Sequence, residues 1–370
     1  MMNRRSLLRA AGITATGTGA LAAPALAQYA PQVRWRLTTS VPRSLDIIFG
    51  ANELVSRYVS EATDGRFVIQ NFAAGEIVPG LQALDAAENG TVEIAQTPLY
   101  YYVGKDPTFA CFAAVPFGLN ARQQNAWYWH GGGRELQESF LAKYGLVGFP
   151  GGNTGGQMGG WFRREIHALD DLKGLKFRIG GLAGEVMARL GAVPQQIAPA
   201  DIYSALDKGT IDACEWIGPY DDEKLGFVKV APYYYYPGWW DGGTVVNLVV
   251  NRGKWLELPA SYKAVFEAAV GFANADMLAK YDARNPAALR RLVAAGAVLR
   301  PFPRSFIDAA FTETNALYAE LGARHPDFGD ILDALLRFRD EDYLWWQVGE
   351  YPYDTMMITH THGSRLRNDK

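Results

Sequence analysis

Cysteine and histidine are scarce in this chain: 370 residues contain 2 cysteines and 5 histidines. Two cysteines cannot form a disulfide framework, and Cys111 and Cys214 read as buried thiols, Cys214 within an apolar strand pattern. Few histidines remove the commonest general base. Basic charge is not in excess either. With 36 Lys and Arg against 39 Asp and Glu, and no basic run or stripe, nucleic acid is excluded as a partner. Beyond the first 27 residues, no stretch approaches the roughly 20 apolar residues that a membrane-spanning helix needs. Catalytic signatures are missing too: there is no Gly-x-Ser-x-Gly elbow, His-Glu-x-x-His pair, Walker loop or Gly-x-Gly-x-x-Gly turn. No strand signal precedes Gly131-Gly132-Gly133, which reads as a loop.

The N-terminus is more informative. Arg4-Arg5 precedes a weakly apolar run from Ala10 to Pro24, and Ala25-Leu26-Ala27 has the small-x-small pattern of a signal-peptidase site. Residues 1–27 therefore read as a twin-arginine-type export signal, with an ordinary secretory signal as the alternative. Removing Arg4, Arg5 and Arg9 from the 36 basic residues leaves 33 against 39 acidic, a net −6 for the mature chain. An anionic ligand must then be held by local positive groups. About 340 residues remain, more than one domain usually holds, so two lobes are expected.

Val33–Thr39 alternates with period two and predicts a strand. The spacing of Leu45, Ile48, Leu54, Val55 and Tyr58 predicts a helix over 44–62, followed by a strand over 66–72. Strands alternating with helices of this length indicate parallel α/β lobes. An internal echo supports this reading. Leu84-Asp-Ala-Ala-Glu-Asn-Gly90-Thr-Val-Glu-Ile-Ala95 resembles Tyr203-Ser-Ala-Leu-Asp-Lys-Gly209-Thr-Ile-Asp-Ala-Cys214, 119 positions on. Each unit ends a helix on glycine and enters a strand. In open α/β sheets ligands bind beyond the carboxyl ends of strands, so Gln96-Thr97-Pro98 and Glu215-Trp216 should face a cleft. Further on, 244–250 predicts a buried strand, 259–295 a long helix with a break at Asn285-Pro286, and 306–343 a largely helical tail. The apolar stretch from Phe328 to Trp346 must be covered by its own chain or by a second copy.

Several polar residues stand isolated in apolar, glycine-rich surroundings. Asn153 and Gln157 lie in a segment of very low bulk, where backbone approaches a ligand closely. Arg178 ends a short strand and is followed by glycines; there it offers a planar fork to a carboxylate, unless it is a surface residue on an edge strand. Glu215 closes an otherwise apolar strand, a costly place for a carboxylate unless it is paired or holds a cation. Asp241 is the odd polar member after the aromatic block Tyr233–Trp240. Asp221-Asp222 reads as a solvated helix start, and His360-Thr-His362 as a strand-like, solvated tail.

These segments together resemble the periplasmic substrate-binding subunits of tripartite ATP-independent periplasmic (TRAP) transporters. The resemblance runs through GRF (65–67), NGTVEIA (89–95), LKGLKFR (172–178), ADIYSALDKG (200–209) and CEWIGP (214–219). The last is shared more narrowly, with members that bind 2-oxo acids such as pyruvate together with a cation. The resemblance implies a periplasmic-binding-protein-like α/β fold: two lobes around a ligand cleft, joined by hinge strands and a long helix. On this plan lobe I takes 28–152 and about 243–258, and lobe II takes 153–242 and about 296–325. Residues 259–295 form the connecting helix, and 326–370 form a helical extension through which the chain dimerises. It also implies that Arg178 takes the ligand carboxylate, with Asn153 and a tyrosine of Tyr100-Tyr101-Tyr102, here Tyr101, as further contacts. Glu215, the main chain of Trp216, Gln157 and Asp241 would surround the cation, sodium or alternatively calcium. A hard cation takes such oxygen ligands. The implied function is periplasmic solute capture for TRAP membrane subunits, not catalysis. Alternatives are a dicarboxylate or 2-hydroxy acid (lactate) ligand and, more remotely, a secreted metal-dependent lyase or hydrolase.

Overall fold

The structure is a computed structural model, and residues 31–368 are described; the export signal expected at 1–27 lies outside them. Eleven strands occur among the described residues: β1 (Val33–Thr39), β2 (Phe67–Phe72), β3 (Ile94–Pro98), β4 (Leu146–Asn153), β5 (Gly160–Phe162), β6 (Lys176–Arg178), β7 (Val193–Gln195), β8 (Ala213–Cys214), β9 (Tyr233–Tyr236), β10 (Val245–Asn251) and β11 (Val298–Pro301). The helices are α1 (Asp46–Ala62), α2 (Ala83–Glu88), α3 (Ala121–His130), α4 (Gly133–Ala142), α5 (Gly181–Arg189), α6 (Ile202–Asp207), α7 (Pro219–Leu225), α8 (Arg252–Glu257), α9 (Ala260–Ala294), α10 (Arg304–Arg324), α11 (Pro326–Trp346) and α12 (Glu350–Asn368).

Two sheets result. One has the order β2-β1-β3-β10-β4, the other β11-β9-β5-β8-β6-β7. β10 runs antiparallel to both its neighbours, and so does β5; the remaining pairs are parallel. The fold is thus the mixed α/β, two-lobe architecture. Three segments carry the chain from one sheet to the other: 154–159, 237–244, and α9. At 35 residues, α9 is about 50 Å long. It packs along α1, β4 and α7 and so touches both halves.

The repeated helix–glycine–strand unit is present twice. After α2, Gly90 adopts φ +76°, and after α6, Gly209 adopts φ +69°. In this left-handed conformation the chain turns back, and Thr210 N donates to Ala205 O at 2.9 Å and Val92 N to Ala86 O at 3.1 Å. A side chain at either position would strain the turn.

Three expectations need correction. The break expected at Asn285-Pro286 does not occur, and α9 runs through Pro286. A proline costs a helix one backbone hydrogen bond, and here the packing of α9 on three elements offsets that loss. Asp221 and Asp222 are not solvated: both are buried, at 0% and 1% exposure. Their helix starts against α9 instead of against water. Asp222 accepts from Trp161 Nε1 at 2.9 Å and Tyr234 Oη at 2.6 Å, and Asp221 from Tyr281 Oη at 2.7 Å. Finally, residues 360–362 are helical within α12, so they do not share a strand face; His360 itself is exposed. Cys111 and Cys214 are buried free thiols. No helix among the described residues is long and apolar enough to cross a membrane.

Candidate ligand and cation site

The site forms where strand ends meet the two crossing loops. Arg178 is the last residue of β6, between β8 and β7, so it is not on an edge strand. It is 1% exposed. Burying a guanidinium is costly unless its protons are matched. Nη1 pairs with Glu215 Oε1 and donates to the Glu215 carbonyl at 2.9 Å. Nε donates to Ile197 O at 3.2 Å and Nη2 to Tyr101 Oη at 3.4 Å. The guanidinium carbon also lies 5.3 Å from the centre of the Trp216 ring, close enough for a cation–π contact.

Glu215 follows β8 directly. It is 4% exposed, and Gly180 N donates to its Oε1 at 3.3 Å. Burial pushes its carboxyl above the usual carboxylate range, with Arg178 pulling the other way. Asp241 is raised further. Burial is the main cause, a hydrogen bond with Thr244 opposes it, and the charge of Glu215 adds to it. The two carboxylates therefore lie close enough to feel one another in a dry setting.

Gln157 reaches the same place from the other crossing loop. The loops are tied together: Gln157 N donates to Asp241 O at 3.3 Å, Gly238 N to Gln157 O at 2.9 Å, and Thr154 N to Thr244 O at 3.1 Å. The Gln157 amide nitrogen donates to Thr154 Oγ1 at 3.0 Å and Thr244 Oγ1 at 2.8 Å. With both amide protons used, Oε1 faces away from the threonines. It has no hydrogen-bond partner, and neither does Asp241 Oδ1. Buried oxygens left unmatched are expensive in an apolar interior. Together with the Glu215 carboxylate they form a donor set of the kind a hard cation takes. No cluster of three His, Cys, Asp or Glu exists among the described residues, so amide or main-chain oxygens must complete any coordination shell.

The remaining expected residues are also placed. Tyr101 is buried, its hydroxyl facing Arg178; burial pushes its phenol up to about 12, with Arg178 opposing. Trp216 is buried between Arg178 and the cleft. Asn153 spends both ends of its amide on the scaffold, donating to Gln124 Oε1 at 2.6 Å and accepting from Gly155 N at 2.9 Å. Two cavities border the cluster, of about 20 Å³ beside Gln157 and about 10 Å³ beside Glu215 and Asp241. Neither is lined by a lysine or an arginine; Arg178 lies behind them, reached through Tyr101, Trp216 and Glu215. Sequence reasoning missed Thr154 and Thr244, and of the run Tyr100-Tyr101-Tyr102 it chose Tyr101 alone, whereas Tyr100 lines both cavities. Thr154 sits beside Asn153, and Thr244 follows Gly242-Gly243, so their glycine-rich surroundings were the available signal.

Residues 39–325 match the family of bacterial extracellular solute-binding proteins, family 7, also called DctP. The chain belongs to this family. A monocarboxylate 2-oxoacid-binding periplasmic protein of Nostoc sp. is 46% identical over 95% of this chain and 98% of its own length. Among solved structures, a TRAP transporter solute-binding protein of Bordetella bronchiseptica is 48% identical, with a TM-score of 0.89 over 90% of this chain and 99% of the other. It is described as a mixed-occupancy dimer with copurified calcium and picolinate in its active site. A TRAP solute-binding protein of Pseudoalteromonas atlantica, 37% identical with a TM-score of 0.85 over 87% of this chain and 98% of that one, binds sodium and pyruvate.

Proposed function

We propose that this protein captures a 2-oxo acid, pyruvate or a close homologue, together with a cation, in the periplasm, and delivers it to TRAP membrane subunits. The observation behind this reading is the dry cluster of Arg178 and Glu215 beside two unmatched oxygens, Gln157 Oε1 and Asp241 Oδ1. A carboxylate needs a fixed positive partner, which Arg178 supplies through Nη2, held only by a long contact to Tyr101. A metal ion supplies positive charge for a keto oxygen and a carboxylate oxygen at once. Glu215, Asp241, Gln157 and the Trp216 carbonyl would hold it, with sodium the first choice and calcium the second. Tyr101 steadies the guanidinium, and Asn153 braces the loop behind Gln157. A dicarboxylate would need a second basic group, and Arg178 is the only buried basic residue among the described residues. The family is one of receptors, and the cluster is built for binding rather than turnover.

Capture in such a fold proceeds by closing two lobes over the ligand. The exposed C-terminal helices supply a surface for a second copy of the chain, so the receptor works as a homodimer. Calorimetric titration of the mature, chelator-treated protein with pyruvate, with and without sodium or calcium, tests the reading. Binding should require one of the two ions and be lost in both Arg178→Ala and Glu215→Ala. Binding that ignores the ions and Glu215→Ala would remove the cation from the site.

A further inference from the structure

The polar groups of the cluster suit the acid end of any 2-oxo acid, so they cannot choose among chain lengths. The choice must come from the walls, and one wall residue has a special position. Tyr100 lines the cavity of about 20 Å³ that also meets Tyr101, Gln157 and Trp216. It equally lines the cavity of about 10 Å³ that meets Glu215, Asp241 and Trp240. No other residue lining the one lines the other. Cavities of this size each hold about one water-sized group. Neither holds an alkyl chain.

The ring is held by two sets of neighbours. On one side lies the glycine pair that opens α5: a Cβ on Gly181 would come 3.1 Å from Tyr100 Cβ, and one on Gly180 would come 3.4 Å from Tyr100 Cε2. Gly181 also has φ +62°, a conformation that side-chain-bearing residues rarely adopt. The two glycines thus leave a floor on which an aromatic ring can lie. Tyr101 meets the Tyr100 ring at a steep angle, with ring centres 5.2 Å apart, and also borders the Gly180 position. The smaller cavity holds the carboxylates of Glu215 and Asp241 on its wall, whereas the larger one, on the far side of Tyr100, is walled mainly by apolar groups of Val41, Ile48, Pro98, Ile217 and Val246.

We propose that the Tyr100 ring is the specificity-determining partition of the site and limits the ligand to short-chain 2-oxo acids. Without the ring, the polar cavity beside Glu215 and Asp241 opens into the larger apolar one, and longer chains gain a place there. This inference rests on the 2-oxo acid reading above. The test is the ratio of the dissociation constants of 2-oxohexanoate and pyruvate, measured by calorimetry with saturating cation, for the wild type, Tyr100→Ala, Tyr100→Leu and Tyr100→Phe. General loosening of the protein weakens both acids alike and leaves the ratio unmoved. Tyr100→Ala and Tyr100→Leu should lower the ratio at least tenfold, while Tyr100→Phe, which keeps the ring, should stay within twofold of the wild type. Tyr100→Leu alone suffices for the comparison if the alanine variant does not fold. An unchanged ratio in protein that still binds pyruvate overturns the partition and leaves the functional reading intact. A phenylalanine variant shifted as far as the leucine one overturns it as well, because the hydroxyl would then be the discriminating group. A wild type that binds neither acid removes both proposals together.

Discussion

At the scale of single residues, the chain spends its buried charge in two places. One is the Arg178–Glu215 cluster, where each group has a partner or an unmatched oxygen waiting for one. The other is Asp221-Asp222, for which no ion pair occurs among the described residues, Lys224 acting on Asp221 only at longer range. Burial pushes Asp221 up to about 6, with Tyr281 opposing, and Asp222 up to about 7, with Tyr234 and Trp161 opposing. The unfolded carboxyl titrates near 3.9, so between about pH 4 and pH 7 the folded chain holds protons that the unfolded chain has released. The stability from this pair is therefore full below about pH 4 and is lost as pH rises towards 7. Asp222→Asn places a neutral side chain where the carboxyl would otherwise have to ionise. Its thermal midpoint should fall relative to wild type at pH 5, where the native acid is already neutral and better shaped. The gap should close or reverse by pH 8, a swing of about 2.7 kcal/mol for the two pH units between 5 and the folded value of about 7. Calorimetric melting at the two pH values measures it, and parallel curves would mean that Asp222 does not ionise in this range. The structural benefit is a fixed turn: Asp222 holds Trp161 and Tyr234 and accepts from Ile217 N at 3.4 Å, just after Glu215-Trp216.

At the scale of elements, the C-terminal helices divide along their length. The first half of α11 buries Phe328, Ile331, Leu332 and Leu335 against its own chain. From Tyr343 to Ile358 most apolar residues are exposed, among them Leu344 at 65%, Val348 at 67% and Ile358 at 61%. α12 is tied back through Arg122, which pairs with Glu350 at 2.6 Å. Contiguous exposed apolar surface of this extent needs a cover. Ending the chain after Gln347 should leave the fold and pyruvate affinity unchanged while converting a dimer to a monomer by light scattering; a full-length monomer would contradict the assignment. The boundary illustrates what the sequence discloses. Period-two and helical spacing locate β1, β2, α1 and β10 to within two residues, because each buries one regular face. The same patterning cannot say which apolar residues of 328–346 are covered, since a helix side and an interface side read alike. Asp221-Asp222 was illegible for a related reason: two adjacent acids at a helix start look solvated, and their partners Tyr281, Tyr234 and Trp161 are distant in sequence. Arg178, Glu215, Gln157 and Asp241 were legible because each is a lone polar residue in apolar or glycine-rich context.

At the scale of the whole molecule, the two halves are tied together at a point well away from the ligand cluster in sequence. Asp46 begins α1, which packs beside the first sheet, while Tyr220 and Lys224 lie on α7, just after the second sheet's β8. Lys224 Nζ pairs with Asp46 Oδ1, and Tyr220 Oη donates to Asp46 Oδ2 at 3.0 Å. Arg284, on α9, joins both, at 3.3 Å to Asp46 Oδ2 and 2.8 Å to Tyr220 Oη. Burial tends to raise the Asp46 carboxyl, but Lys224 and Tyr220 outweigh it and hold the group below its usual range. Asp46 and its partners remain partly exposed, so each contact is screened, and exposed pairs contribute about 0.2–1 kcal/mol. A network of three contacts to one carboxylate reaches about 1 kcal/mol, roughly fivefold in an equilibrium constant. Because these contacts span the halves, they favour the shut form over an opened one and act on affinity only through that equilibrium. Asp46→Asn should therefore weaken pyruvate binding about three- to tenfold through faster dissociation, with the association rate unchanged. In the wild type, dissociation should quicken as salt rises from about 0.05 to 0.5 M, a range over which screening lengths fall several-fold; in the variant it should stay flat. Stopped-flow fluorescence, read through Trp216 beside Arg178, separates the two rates. An unchanged dissociation rate in Asp46→Asn would show that closure rests on the ligand cluster alone.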